Sequence, residues 1–346
     1  MEMTNQMKER QLIPPLFQIG CMILTSLLLT GMFGYRFSFF KERDPRVAYN
    51  VITPTKFKEF GSFSNEVPVG LYIDDFEQFN IIKNEFVFTG QIWFMLAPGS
   101  ISLETLEKFS FARGDILQRS YPYLKIVNER LFVQYNIRVK MNSPLNLEDF
   151  PLDNHTICIQ LDHLYTHPNE ILFEPALDNF RIEANLKPFG WVIADKEIKS
   201  GYIERRLDSL ENGKAQYYPT TLFYFDIIRY GIQHTLTIFL PLILIFFVIL
   251  FCFSVKESTV SFSLAIGGLT TILAYRFVIV NMSPQVSYAM MTDYIFLFIL
   301  GSGVCIFLVH VSDMFYNFVL TLWFKKLVLV VMHILINVVS FYLLYC

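Results

Sequence analysis

The chain changes character after Arg229, where four apolar segments follow one another with short links between them. They cover residues 232–253, 260–280, 294–310 and 327–344. A helix needs about 20 consecutive apolar residues to cross the hydrocarbon core of a bilayer, and these segments are close to that length. With 53% hydrophobic residues, the chain is also too apolar for an ordinary soluble enzyme. Residues 229–346 are therefore predicted to form a bundle of four membrane-spanning helices.

The second apolar segment carries a stripe of small, weakly polar side chains. Four of them recur at steps of four, three and four: Ser263, Gly267, Thr270 and Ala274. This spacing puts them on one face of a helix. A helix surrounded by lipid alone gains nothing from such a face, so the stripe indicates a helix that meets copies of itself around water.

A further apolar run covers residues 12–35, with basic residues on both sides. The run predicts that residues 1–43 form either a signal peptide or an uncleaved signal anchor. Its apolar core is long for a signal peptide and no clear A-x-A cleavage site follows it, so the two interpretations stay open. Under either one, the residues that follow are exported.

Residues 44–228 contain no segment able to span a membrane, but they contain many short strand-like runs. The predicted strands are residues 69–76, 86–96, 131–141, 156–161, 170–173, 191–198 and 220–228, with a short helix at 103–111. Turn signals such as Glu211-Asn-Gly-Lys separate them. Short strands with turns between them predict an antiparallel, immunoglobulin-like β-sandwich.

Charges in the links predict the orientation of the helices. Lys256, Lys325 and Lys326 lie in the first and third links, which places those links on the cytoplasmic side. The link at residues 281–293 then lies on the outer side, together with the exported β domain. We expect a multi-pass protein of the plasma (inner) membrane, with its β domain on the extracytoplasmic side.

Several function classes find no support in the sequence. A net charge of −3 without a basic run argues against nucleic-acid binding. The five Cys residues are scattered without a C-x-x-C spacing, so neither a metal site nor a cofactor is expected. Since no G-x-S-x-G, H-E-x-x-H or P-loop motif occurs, we expect the protein not to be an enzyme.

Four short motifs accompany this order of elements. They are Phe150-Pro151-Leu152-Asp153 with Cys158 after it, Arg229 just before the first helix, Pro241 inside it, and the stretch from Ala274 to Asp293. Together with the exported β-sandwich and four helices, they resemble the pentameric ligand-gated ion channels (the Cys-loop receptor superfamily), above all the prokaryotic members. The resemblance covers residues 65–345. It implies a homopentamer in membrane lipid that a small extracellular ligand or ion of unknown identity opens.

The resemblance also implies how the β domain acts on the pore. The coupling residues that it implies are Phe150, Pro151, Asp153, Arg229, Glu77, Phe79 and Pro284. The loop at 150–153 and the loop near 77–79 would press on the link at 281–285, and Asp153 would pair with Arg229. The alternative for Arg229 is a purely interfacial role. Pro144 stands where animal receptors carry a second Cys, so no disulfide closes the loop.

In the same register, one face of the second helix lines the pore. The pore-lining residues implied are Ser263, Gly267, Thr270, Ala274 and Phe277. Phe277 would form a bulky ring near the outer mouth, although packing against neighbouring helices is the alternative. Glu257 is the acid near the inner mouth and slightly favours cations, while Arg276 near the outer end opposes them. Relatives usually place deciding rings at Val260, Gly267 and Thr270, so selectivity stays open.

The ligand side of the resemblance is less complete. The implied ligand-binding candidates are Trp93, Asp162, Tyr165, Tyr217 and Tyr218. Aromatic faces suit cationic amines, but the family's W-x-P segment is missing, and packing is the alternative for each aromatic residue. Other candidate stimuli are protons acting on His155, His163 and His234, and divalent cations acting on Asp74, Asp75 and Glu77. A channel-like fold that does not conduct and serves as an exported sensor is the alternative function.

Overall fold

The chain folds into two compact units. A computed structural model describes residues 12–37, 44–60, 65–186, 188, 190–206, 215–229, 233–315 and 322–345. The β unit lies within Lys41–Asn146 and Asn154–Tyr230, and the helical unit within Met1–Phe40, Leu147–Asp153 and Gly231–Cys346. The short loop Leu147–Asp153, called the coupling loop below, thus groups with the helices although the sequence around it is strand-forming.

The β unit contains two sheets among the described residues. Its strands are β1 (Asn65–Asn80), β2 (Glu85–Leu96), β3 (Ser110–Phe111), β4 (Gly114–Arg119), β5 (Tyr123–Val127), β6 (Arg130–Asn142), β7 (Asn154–Asp162), β8 (Ile171–Glu174), β9 (Phe180–Ile182), β10 (Trp191–Arg206) and β11 (Ala215–Arg229). One sheet has the order β4-β6-β2-β1-β8, with β5 on β6 and β9 on β1, and the other has the order β10-β11-β7-β3. The prediction of purely antiparallel pairing is wrong for β8 and β9, which run parallel to β1.

Alternating side chains explain why these residues form two sheets with a core between them. In β2, Phe86, Phe88 and Phe94 are buried, whereas Gln91 and Trp93 between them are partly exposed. Alternation of this kind gives a strand one apolar face. Rings from both sheets meet in the core: the centroids of Phe180 and Phe223 lie 5.2 Å apart, and those of Phe76 and Phe225 5.8 Å apart.

Each predicted strand overlaps with a strand of the structure, but smaller elements were not predicted. They are β4, β5, β9 and a short helix α2 (Pro54–Glu59). Strands β4 and β5 are mostly exposed, so their sequences lack the alternation that reveals a half-buried strand. The helix expected at 103–111 is only α3 (Leu103–Leu106), which Ser102 caps and the strand β3 follows.

The helical unit contains five helices that are long and apolar enough to cross a membrane, counted over the described residues. They are α1 (Pro15–Phe37), α4 (Gln233–Phe251), α5 (Ser258–Met282), α6 (Met291–Phe315) and α7 (Leu322–Tyr345). This set is that of a multi-pass membrane protein. Several apolar helices follow the β unit in sequence, and α1 joins the same helical unit from the first part of the chain.

Two glycines let α5 approach its neighbours closely. A Cβ atom at Gly268 of α5 would lie 2.3 Å from Cγ1 of Ile249 on α4, and one at Gly303 of α6 would lie 2.9 Å from Cδ2 of Leu269. Small residues at such positions allow helix backbones to pack closely in membranes. Helix α5 is thereby fixed against α4 and α6 on one side.

Candidate functional site

The other side of α5 is uncovered in the single chain. The five predicted pore-lining residues (Ser263, Gly267, Thr270, Ala274 and Phe277), called the α5 stripe below, are all exposed, and Phe277 keeps 74% of its surface accessible. Residues on the opposite side, among them Ser261, Ala265 and Ile272, are fully buried. The structure therefore places the predicted pore-lining residues together on the accessible part of α5, where Ile266, Leu273 and Val278 beside them are exposed as well.

Two threonine hydroxyl groups on or beside this face are bonded to their own helix. Thr270 Oγ1 donates to the carbonyl of Ile266 at 2.6 Å, and Thr271 Oγ1 donates to that of Gly267 at 2.7 Å. Threonine commonly bonds back to the preceding turn in this way. The hydroxyl oxygens keep acceptor capacity for water, so the face is weakly polar without containing a charge.

The residues expected at the two mouths of a pore differ in their surroundings. Glu257 lies at the N-cap position of α5, is exposed, and makes no side-chain capping bond; Val260 on the first turn is also exposed. Near the other end, Arg276 Nη1 lies 2.6 Å from Asp293 Oδ1 of α6, and its guanidinium lies 5.1 Å from the ring centroid of Phe296. The positive charge of Arg276 is thus matched within the same chain.

Helix α4 near Pro241 is linked to α5 through a single hydroxyl group, that of Tyr275. Proline has no N–H, so the carbonyl of Thr237, four residues before Pro241, loses its helical donor. Tyr275 of α5 supplies one, because its Oη donates to the Thr237 carbonyl at 2.7 Å. A neighbouring helix commonly satisfies backbone groups that proline frees in membrane helices. The Tyr275 contact attaches α5 to the weakened part of α4.

The coupling loop contacts the link that follows α5. The N–H of Leu147 donates to Tyr288 Oη at 2.9 Å, and the N–H of Met291 donates to the carbonyl of Glu148 at 2.8 Å. The Phe150 ring lies 5.5 Å from that of His234 at the start of α4, and the Phe150–Pro151 peptide bond is cis. The loop therefore contacts both the start of α4 and the link between α5 and α6.

These contacts lie a few residues beyond those that the sequence suggested. The link was expected to receive the loop at 281–285, where Pro284 is buried, whereas the hydrogen bonds go to Tyr288 and Met291. Asp153 is buried in the helical unit, and Arg229 belongs to the β unit, where its guanidinium carbon lies 4.3 Å from the Trp191 ring centroid. Pairing of Asp153 with Arg229 stays a prediction.

Glu77 and Phe79 lie in strand β1, not in the loop where the sequence placed them. The turn between β1 and β2 is instead Ile81–Lys83 with Asn84. Phe79 is buried against Phe76, with ring centroids 5.3 Å apart. Glu77 accepts three hydrogen bonds of 2.6–3.0 Å from Arg138, and this bonding lowers the pKa of its carboxyl group.

The Tyr217 side chain belongs to an aromatic cluster that the sequence did not reveal. The ring centroids of Tyr202 and Phe60 lie 5.5 Å and 5.3 Å from that of Tyr217, and Lys56 Nζ lies 5.5 Å from it. Tyr218 donates a hydrogen bond to Gln216 beside it. The pairing of β10 with β11 places Tyr202 opposite Pro219, two residues after Tyr217. A predicted pairing of these two strands could therefore have identified Tyr202 as a neighbour of Tyr217. The turn at Glu211 lies outside the described residues.

The remaining ligand candidates lie apart from this cluster. Trp93 lies on the other sheet, over Gly70 and with its ring centroid 5.7 Å from that of Phe132. Asp162 is buried, accepts a hydrogen bond from Thr220 at 2.6 Å, and has its pKa raised by burial. Tyr165 is 67% exposed, with the Lys108 ammonium 5.4 Å from its ring centroid.

The histidines proposed as proton sensors are mostly buried. His155 Nδ1 lies 3.1 Å from a carboxylate oxygen of Asp44. His163 lies between the Thr105 carbonyl and Thr166 Oγ1, both at 2.9 Å, and burial lowers its pKa. His234 faces Phe150 in the helical unit.

The acidic residues proposed as a divalent-cation site have other surroundings. Asp74 and Asp75 are exposed residues. Partial desolvation of the Asp74 carboxyl group, together with the charge of Glu183, raises the pKa of Asp74. The Glu77 carboxylate forms an ion pair with Arg138. Over the described ranges, no group of three His, Cys, Asp or Glu side chains is arranged to hold a metal ion.

Comparison with known proteins leaves the chain without a family assignment. No protein-family model matches the sequence, and no curated protein matches it at a significant level.

Proposed function

We propose that this chain is one subunit of a homopentameric ligand-gated ion channel in which α5 lines the pore. The observation that carries the proposal is the uncovered α5 stripe on a helix whose opposite side is packed. Small and weakly polar residues on an exposed face suit a water-filled path shared by several copies better than contact with lipid.

The contacts of the coupling loop support a gating route. The loop hydrogen-bonds to Tyr288 and Met291, which follow α5 in sequence, and contacts the start of α4 through Phe150. In the proposed mechanism, a ligand favours one of two arrangements of the β unit. The loop then displaces the link after α5, and the pore-lining helix tilts.

The proposed orientation follows from the basic residues of the links. With Lys256, Lys325 and Lys326 on the cytoplasmic side, the β unit lies on the extracytoplasmic side of the plasma (inner) membrane. Glu257 then lies at the cytoplasmic mouth and favours cations slightly. The positive charge of Arg276 near the outer mouth would repel cations, but its ion pair with Asp293 neutralises that charge.

Two stimuli fit the β unit better than the others. The Tyr202, Tyr217 and Phe60 rings offer aromatic faces of the kind that hold amines, and Lys56 already places an ammonium group there. Among the histidines, His155 lies next to the carboxylate of Asp44, whereas burial lowers the pKa of His163.

The second candidate function is a non-conducting exported sensor on the same fold. The exposed Phe277 ring favours it, because five such rings around one axis could close the path by excluding water. Phe277→Ala separates the two functions, and Val278→Ala, also an exposed residue of α5 but outside the stripe, is its matched control.

The test is current measurement with the purified protein in planar bilayers under a salt gradient. Amines, pH and divalent cations are varied, and reversal potentials give selectivity. We expect stimulus-dependent currents that reverse on the cation side, with a larger open fraction in Phe277→Ala and an unchanged one in Val278→Ala. Silence of the wild type together with currents in Phe277→Ala would support the sensor, and silence of both would contradict the pore.

A further inference from the structure

Helix α1 is docked into the helical unit by its polar residues. Gln18, Thr25 and Arg36 are the buried polar side chains of this helix, each at most 4% exposed. Many of its exposed positions are bulky and apolar, including Leu24 at 60% and Leu27 at 66%. Polar groups facing lipid are costly, so this distribution is that of a helix with one side for lipid and one for protein.

Contacts at the first turns tie α1 to the end of α4. Ser254, in the short turn after α4, donates a hydrogen bond to Gln18 and lies 3.1 Å from the carbonyl of Ile13. The N–H of Ile13 also donates to the Phe253 carbonyl at 3.4 Å. The beginning of α1 therefore has specific polar partners rather than apolar contacts alone.

Contacts continue along the middle and the end of the helix. Thr25 Oγ1 lies 2.9 Å from Nδ1 of His333 on α7, with both side chains buried. Further on, Tyr345 Oη donates to the carbonyl of Met32 at 2.7 Å. Helices α1 and α7 thus run side by side in the same direction over most of their length.

The last turn of α1 contacts the coupling loop through an ion pair. Arg36 Nη2 lies 3.3 Å from Asp149 Oδ2, and the two side chains are only 5% and 12% exposed. Removing one partner of a buried ion pair leaves the other charge desolvated without its compensating partner. Asp149 lies two residues before Pro151, in the loop that contacts the link after α5.

We infer that α1 stays in the mature protein as a fifth membrane helix, and that Arg36 is a positioning residue for the coupling loop. Cleavage after α1 would remove the guanidinium from Asp149 and the hydroxyl from His333. Retention of α1 is independent of channel activity, whereas the effect of Arg36 on gating rests on the proposed function. The helix then fixes the loop at one end while the β unit moves it.

The first experiment is the intact mass of the purified, membrane-extracted protein. We expect the mass of a chain that still contains α1. A mature chain that begins after residue 37 would overturn the inference, whatever the channel does.

The second experiment is a charge swap in the full chain, comparing Arg36→Glu, Asp149→Arg and the double variant. Each single variant is expected to lower the midpoint of thermal unfolding by roughly 5 °C, and the double variant is expected to recover at least half of the loss. Arg36→Lys, which keeps the charge, is the conservative control and stays near the wild type. If the decreases in unfolding midpoint of the two single variants simply add in the double variant, the proposed interaction between Arg36 and Asp149 is contradicted.

Measurements of gating distinguish a positioning role of Arg36 from an effect on protein stability alone. In the bilayer recordings we expect the stimulus concentration for half-opening to shift by about tenfold in each single variant and to return toward the wild type in the double variant. Unshifted half-opening in both single variants would overturn the positioning role. If the wild type carries no current, the proposed function fails, while the mass and the unfolding midpoints still decide whether α1 is retained and paired.

Discussion

Helices α1 and α5 are both apolar enough to cross a membrane, but they place their polar residues on opposite sides. In α1, Gln18, Thr25 and Arg36 are buried, and large apolar side chains are exposed. In α5, the stripe of small and weakly polar residues is exposed, while Ala265 and Ile272 are buried. Helix α1 thus directs these polar side chains toward its own chain, whereas α5 leaves its weakly polar side chains accessible to a neighbour or to water.

The largest expected effect comes from filling the packed side of α5. Gly268→Val forces side-chain atoms into Ile249, whereas nothing lies within 4 Å of a Cβ atom at Gly267. Overpacking costs roughly 1–3 kcal/mol, so Gly268→Val should lower the thermal unfolding midpoint by several degrees. Gly267→Val is the matched control and should leave it nearly unchanged. Equal losses in both variants would mean that the stripe is packed, and the contrast between the two sides would disappear.

A second comparison uses the same substitution on both helices. Thr25→Val removes the hydroxyl group beside buried His333, which should reduce the free energy of unfolding by roughly 1–2 kcal/mol. Thr270→Val removes a hydroxyl that bonds only to its own helix on an exposed face, and should change it by less than about 0.5 kcal/mol. Denaturant unfolding of the two variants measures the difference. A larger loss for Thr270→Val would reverse the assignment of the two faces.

Asp293→Asn tests the charge at one end of α5. It leaves Arg276 without its carboxylate partner, and because that arginine is more than a third exposed, the stability loss should stay below about 1 kcal/mol. The sharper readout is the reversal potential, which should shift toward anions. In the Arg276→Gln, Asp293→Asn double variant the shift should vanish. A shift that persists there would show that Arg276 does not act on the ions.

The smallest expected effect concerns the bond between α5 and α4. Tyr275→Phe removes the donor to the Thr237 carbonyl and should cost roughly 0.5–1 kcal/mol. Pro241→Ala restores an N–H for that carbonyl, so Tyr275→Phe should cost less in that background. Unfolding free energies of the four combinations give the coupling. The same cost in both backgrounds would refute the role of Tyr275 as substitute donor.

The periodic features of the fold could be predicted from the sequence. The alternation in β2 and the three-to-four spacing of the α5 stripe report burial directly, because each side chain position follows from the backbone period. Strands β4 and β5 lie at exposed positions without alternation, and the parallel partners β8 and β9 lie about a hundred residues from β1. Neither kind of information is present in a local window.

The residues of the candidate site could be predicted only in part from the sequence, for a similar reason. Its α5 residues share one helix, so their spacing was sufficient to group them. The docking of α1 depends on Gln18, Thr25 and Arg36, which are 7 and 11 residues apart and thus lie on one helical face. That signal lies in, and directly after, the apolar run 12–35, which was interpreted as a signal peptide or signal anchor. The partners His333 and Asp149 are remote in sequence, and only the fold brings them to α1.

Cysteine accessibility tests the contrast between α5 and α1 most directly. Single cysteines replace Thr270 or Ala274 on α5 and Leu24 or Leu27 on α1, in a chain whose five native Cys residues are all changed to Ala. A membrane-impermeant, charged thiol reagent is applied to the protein in bilayers, and both labelling and current are recorded. We predict labelling and a change of current for the two α5 cysteines and no labelling for the two α1 cysteines. Unlabelled cysteines on α5, at positions as inert as those on α1, would contradict a water-lined face.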